Sequence, residues 1–113
     1  MSVFRYLKQF NVNDQDEVII KIELPDVGSA SHHLIDIPGN MDLSGLNSCS
    51  IQLGKGLKLK TERTLVFSKP FNIDPNNEQI NINYYINDVL LQSHSNLKSV
   101  DLSPQIVLTI QFI

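Results

Sequence analysis

The eight residues from Ile106 to Ile113 constrain the fold more than any other part of this chain. Ile106, Leu108, Ile110 and Phe112 take one side of an extended backbone, while Val107, Thr109, Gln111 and Ile113 take the other. Successive side chains of a strand point to opposite faces, so an apolar repeat of two marks a strand with one face on a core. The segment is uncharged, and a strand of that kind is either internal to its sheet or paired with another subunit's sheet.

The same repeat recurs upstream, with turn residues between the runs. Val3 to Phe10 is read as a first strand, although its apolar spacing also suits a short helix. Val18, Ile20, Ile22 and Leu24 share one face of Glu17 to Leu24, and Pro25, which lacks a backbone donor, ends that run. His33, Ile35 and Ile37 alternate up to Pro38-Gly39. Asn40 to Asn47 is irregular and is read as one helical turn or a loop crossing between sheets. Cys49, Ile51 and Leu53 lead into Gly54-Lys55-Gly56, which is read as a hairpin tip because glycine reaches positive φ without steric cost. From Leu57 to Phe67 the side chains Leu57, Leu59, Thr61, Arg63, Leu65 and Phe67 are assigned to one face of a long strand, bent near Glu62. Ile80, Ile82, Tyr84 and Ile86 alternate cleanly before Asn87-Asp88, the signature of a two-residue hairpin.

Seven to eight short strands with one-sided alternation predict an all-β chain, an antiparallel β-sandwich spanning 1–113 as a single domain. Jelly-roll, immunoglobulin-like and C2-like strand orders all remain open. With one cysteine and no tryptophan, the chain lacks the Cys, Trp and Cys pattern of antibody domains.

Composition narrows the partners. A formal net charge of −3 provides no global field toward phosphate backbones, so no nucleic acid is expected. Cys49 stands alone and is read as a small buried apolar residue. No run approaches the ~20 apolar residues of a membrane-spanning helix. The opening MSVFRYLKQF lacks the apolar centre of a secretory leader, which is compatible with the cytoplasm or an assembled particle and leaves the location unassigned.

Candidate sites are few. Lys55, Lys58, Lys60, Arg63 and Lys69 gather five of the nine cationic residues within fifteen positions. They would suit phosphate, sulfated glycan or an acidic partner, or else form a solvated outer face. Tyr85, beside Asn81 and Asn83, would face outward if Tyr84 faces the core, and could stack on a sugar. Two loops carry oxygen donors suited to calcium: Asn11, Asn13, Asp14, Asp16 and Glu17 in one, Asp74, Asn76, Asn77 and Glu78 in the other. Neither has the EF-hand pattern, and turn chemistry is the simpler reading, so no metal or cofactor is assigned. His32 and His33 are adjacent and face opposite ways in a strand, so they cannot chelate one ion together.

Nothing groups a nucleophile, a base and an oxyanion donor, and no enzyme is expected. The expectation is a non-catalytic structural or interaction module using strand faces or edges, with a protein partner or self-association. Subunits of phage particles or virions, secretion apparatus or surface appendages fit that description at the level of fold. The alternative is a carbohydrate- or ligand-binding sandwich with a loop calcium.

Overall fold

A computed structural model of the chain describes residues 2–39, 41–71 and 75–113, with Met41 described by its backbone alone. Its elements in chain order are β1 (Val3–Phe10), β2 (Glu17–Glu23), β3 (Ala30–Ile37), β4 (Met41–Leu46), β5 (Cys49–Lys55), α1 (Gly56–Leu59), β6 (Thr64–Phe71), β7 (Gln79–Ile86), β8 (Val89–Leu97) and β9 (Gln105–Phe112). A five-stranded sheet in the order β1-β9-β6-β3-β4 packs on a four-stranded sheet in the order β5-β2-β7-β8. The chain is therefore an all-β sandwich. This strand order is the one that the sequence left open.

Only β3–β4 and β7–β8 are hairpins within one sheet, and every other connection passes from sheet to sheet. All pairs are antiparallel except β1 with β9, which run parallel in register from Val3 and Gln105 to Phe10 and Phe112. β9 therefore lies between β1 and β6, with ladder partners on both sides. That placement settles the choice posed by the terminal segment: it is an internal strand and has no free edge for another chain.

The core follows the alternation. Ile106, Leu108, Ile110 and Phe112 from β9 meet Val18, Ile20 and Ile22 from β2 and Ile82, Tyr84 and Ile86 from β7, each at most 2% exposed. At about 1.5–3 kcal/mol per fully buried large apolar side chain, this shared cluster dominates the favourable side of folding.

The described residues hold nine strands where seven to eight were expected, and Gly54-Lys55-Gly56 is not a hairpin tip, since β5 and β6 belong to different sheets. Two further expectations need correction. Residues 41–46 form a strand and not a helical turn or loop, because the chain reverses after Pro38-Gly39 and pairs back on β3 from Met41 to Leu46. The segment from Leu57 to Phe67 is not one strand. Gly56 and Leu57 donate their amides to the carbonyls of Asp16 and Asp14, at 2.9 and 3.0 Å, which docks this stretch on the β1–β2 loop. The chain winds through α1, and β6 begins only at Thr64. Thr64, Val66, Ser68 and Pro70 then face inward, and Leu65 and Phe67 face outward, the reverse of the assigned side.

The two sheets also meet at their edges, without a ladder between them. On one side β4 passes directly into β5, where Gly45 lets the Cys49 sulfur approach: a Cβ on Gly45 would lie 2.8 Å from it. On the other side β1 meets β8, and the Tyr6 hydroxyl is 2.7 Å from His94 Nδ1.

Candidate functional site

The outer faces of the two sheets differ at their centres. On the four-stranded sheet the central outward side chains are polar and bond to one another, with Ile19, Leu90 and Leu97 exposed around them. Asn83 Nδ2 donates to Glu23 Oε1 at 3.0 Å, the Tyr85 hydroxyl donates to the same oxygen at 3.3 Å, and Asn81 Nδ2 donates to Asp26 Oδ2 at 2.9 Å. The Lys21 ammonium lies 4.9 Å from the centre of the Tyr85 ring. Tyr85 is thus on the outer face, as the sequence reading placed it, with its hydroxyl bonded and a cation over its ring.

The five-stranded sheet differs. Its pairing register lines up outward residues in rows that cross the strands. The middle row runs Arg5, Val107, Phe67, Leu34, Ser44. One side of it holds Val3, Gln105, Lys69, His32 and Leu46, and the other holds Leu7, Thr109, Leu65, Asp36 and Asp42. Outer positions of a sandwich normally alternate to polar residues. Here Phe67 is 39% exposed, Leu34 48%, Leu46 54% and Leu7 60%. Val107 points outward too, yet is only 8% exposed because its neighbours on the face crowd over it. A depression of about 340 Å³ opens among His32, Leu34, Ser44, Phe67, Lys69 and Val107. This continuous apolar face is the candidate site.

Its charges are segregated and unspent. Asp36 and Asp42 lie directly opposite each other on β3 and β4, both exposed. Like charges in that position repel by a few tenths to about 1 kcal/mol. The ion pairs among the described residues are Lys55 with Glu17 at 3.1 Å and Lys60 with Asp14 at 2.8 Å, and neither involves this face. Arg5 and Lys69 stand on the face as exposed cations, and the His32 ring packs on Phe71 with centroids 4.7 Å apart.

Of the five basic residues singled out from the sequence, Lys58 lies in α1, flanked by Lys55 and Lys60, which are already ion-paired; Arg63 precedes β6, and Lys69 sits apart from them near the far end of β6, on the apolar face. The first oxygen-rich loop is internally bonded, since Asp14 and Glu17 hold those lysines and Asp16 Oδ2 accepts the Asn13 amide at 2.9 Å. In the second loop Asp74 lies outside the described residues. No group of three or more His, Cys, Asp or Glu among the described residues is placed to hold a metal ion. No described helix is long and apolar enough to cross a membrane.

The other chemically capable groups lie in the core. His33 Nε2 donates to the Asn47 carbonyl at 3.0 Å, and its Nδ1 is 2.7 Å from Ser68 Oγ, which also accepts the Tyr84 hydroxyl at 2.7 Å. Burial pushes the His33 imidazole below its ordinary pKa and the Tyr84 phenol above its own. The serine and histidine are in contact, but both are 3% exposed or less, out of reach of a substrate. Their hydrogen bonds tie the two sheets together across the interior.

Sequence reasoning missed the apolar face in part because two of its apolar members, Leu65 and Phe67 of β6, are assigned from the sequence to the core side. The signal that would have found it is the excess of large apolar residues on both sides of β6, β9 and β3. A search against protein families, curated proteins and solved structures finds no match to the chain.

Proposed function

We propose that the protein is a non-catalytic interaction module that docks another protein on the outer face of its five-stranded sheet. The observation that carries this reading is the row Val107, Phe67, Leu34, flanked by Leu7, Leu65 and Leu46, where a solvated sandwich carries polar side chains. An extended apolar patch exposed on a folded protein marks a surface that is covered in use. The segregated charges at its margins supply orientation and the apolar centre supplies affinity. At the centre of the opposite sheet Asn81, Asn83 and Tyr85 already hydrogen-bond within the chain. A subunit of a larger assembly, such as a virion, a secretion machine or a surface appendage, is the setting in which such a face stays covered.

A photo-cross-linking amino acid placed at Leu34, in cells that produce the protein natively, tests this. The expected result is a discrete protein adduct from Leu34 and none from the same probe at Ser93 on the other sheet. Equal labelling at both positions, or none at either, defeats the proposal.

A further inference from the structure

We infer that β1 is an acid-sensitive latch, which opens ahead of the core when His94 on β8 takes up a second proton. The inference goes beyond the docking face and does not depend on it.

β1 is secured mainly along its backbone. Its ladder is with β9 alone, and its ends are tied by the Asp101 carboxylate to the Ser2 amide and by the Phe10 carbonyl to the Ile113 amide. Toward the other sheet, its hydrogen bond and ring contacts converge on His94. Phe4 and Tyr6 set their rings 4.6 and 5.9 Å from the His94 ring, centre to centre, and the Tyr6 hydroxyl reaches Nδ1 at 2.7 Å. Past Tyr6 this closure lapses, since Lys8, the next residue on that side, is exposed. No residue of β1 is fully buried, and Phe4, Tyr6 and Phe10 are half-buried. A strand with one ladder and no buried side chain belongs to the low end of local stability.

The closed edge has no place for the extra proton. Asn96 Oδ1 takes the Nε2 proton at 2.7 Å, so Nδ1 accepts from Tyr6. A proton on Nδ1 reverses that bond and leaves the Tyr6 hydrogen with no acceptor among the described residues. No counter-charge stands ready either. The groups facing the ring are the Tyr6 phenol from β1, the Asn96 amide from its own strand and Ile82 from β7. The Tyr84 phenol, close to Tyr6, is already bonded to Ser68, and β9 carries no titratable residue. Beyond Asn96, the Asp101 carboxylate already accepts the Ser103 amide on Oδ1 and the Ser2 amide on Oδ2.

Burial accordingly holds the His94 imidazole below its ordinary pKa, and the Asn96 bond only partly offsets it. Once β1 opens, water reaches the ring and it protonates near its ordinary value of about 6.5. Opening is therefore unaffected above pH 7 and grows as pH falls from about 6.5 toward the lowered value. Asp101 does not share this window. Burial raises its carboxyl, but the bonds from Ser103 and Ser2 outweigh that and hold it below its ordinary range, so its tie to Ser2 outlasts the histidine's. What opens matters for β9, which is internal only while β1 covers one of its edges. An uncharged strand rich in Ile and Val is the kind of edge that sheets otherwise keep covered.

Amide hydrogen exchange of the full chain between pH 7 and 5, expressed as protection factors so that the intrinsic effect of pH drops out, tests the inference. The β1 amides are expected to be less protected than those of Ile82, Tyr84 and Ile86 at every pH, and to lose at least about fivefold in protection across the range. His94→Gln, which cannot titrate, is expected to flatten the fall in β1 while β7 keeps part of its own, because His33 still titrates in the core. If His94→Gln does not fold, Tyr6→Phe takes its place. It removes the hydroxyl that ties β1 to His94, and is expected to lower β1 protection at pH 7 by about threefold or more. β1 amides as protected as those of β7 would overturn a separate opening, and so would unchanged β1 protection in Tyr6→Phe. A β1 protection level from pH 7 to 5, or a fall that survives in His94→Gln, would overturn His94 as its trigger.

Discussion

Thr64 is fully buried, and its hydroxyl has no hydrogen-bond partner among the described residues. An unpaired buried hydroxyl costs about 1–3 kcal/mol of desolvation. Thr64→Val keeps the shape and removes the polar atom, so it is expected to stabilise the fold by about 1 kcal/mol, read as a higher denaturant midpoint at unchanged slope. A lower midpoint would mean that the hydroxyl is paired. Gly56 makes the opposite case. Its own φ is not in the left-handed region, but a Cβ there would collide with the Asn13 carbonyl oxygen, a backbone atom. Gly56→Ala is expected to cost about 1–3 kcal/mol, visible as a lower melting temperature. The sequence marks Gly54-Lys55-Gly56 as special, but the two glycines serve different ends. Gly54 supplies a φ of +113°, and Gly56 supplies room. Close approach of distant backbone leaves no local pattern, so only the first role is readable in advance.

At the scale of elements, β2, β7 and β9 are legible because large apolar residues sit on one side only. β6 is not, because its inward positions are Thr64, Val66, Ser68 and Pro70 while Leu65 and Phe67 look out. A period-two pattern identifies two faces and assigns the more apolar one to the core, an assignment that fails where large apolar residues also sit on the outer face. The inward Ser68 is small for a reason also invisible in the sequence: it bridges His33 and Tyr84. The β7–β8 hairpin shows local chemistry that does read directly. Asn87 and Asp88 have φ of 46° and 66°, the paired left-handed residues of a type I′ turn. Asn87 also exchanges hydrogen bonds with Ile19, accepting its amide on Oδ1 at 2.9 Å and donating to its carbonyl at 3.0 Å. Asp88 makes no such bond and is strained by its φ alone. Asp88→Gly is accordingly expected to gain about 0.5–1 kcal/mol in equilibrium unfolding. Asn87→Gly relieves the same strain but strips the Ile19 amide of its acceptor, so it is expected to show no such gain. Equal gains at both positions would argue against the tie to β2.

For the molecule as a whole, the layered sandwich is legible from alternation, whereas its closure is not, because closure depends on which polar side chains meet across 88 residues of chain. His94 is 1% exposed between β1 and β8, with Nδ1 facing the Tyr6 hydroxyl and Nε2 2.7 Å from Asn96 Oδ1. His33 repeats the arrangement deeper in the core, with a hydroxyl at Nδ1 and a carbonyl at Nε2. In both rings the oxygen acceptor fixes the proton on Nε2, leaving Nδ1 to accept, so the network is complete with the imidazole neutral. Burial lowers the pKa of both histidines below 6.5. Between those lowered values and about 6.5 the unfolded chain binds protons that the fold refuses, and stability rises with pH wherever that holds. The histidine contribution is therefore intact above pH 7 and is lost as pH falls below about 6.5. Carboxylates titrate nearer pH 4, leaving the interval from 7 to 5 mainly to the histidines. The melting temperature of the protein is expected to be level from pH 8 to 7 and to drop steadily from 6.5 to 5. Adding His94→Gln lowers the starting melting temperature but should make the drop shallower, since one titrating group has left the core. A melting temperature constant or rising down to pH 5 would mean that the buried rings accept their second proton at no cost, and that the edge between β1 and β8 is more open to water than its geometry shows.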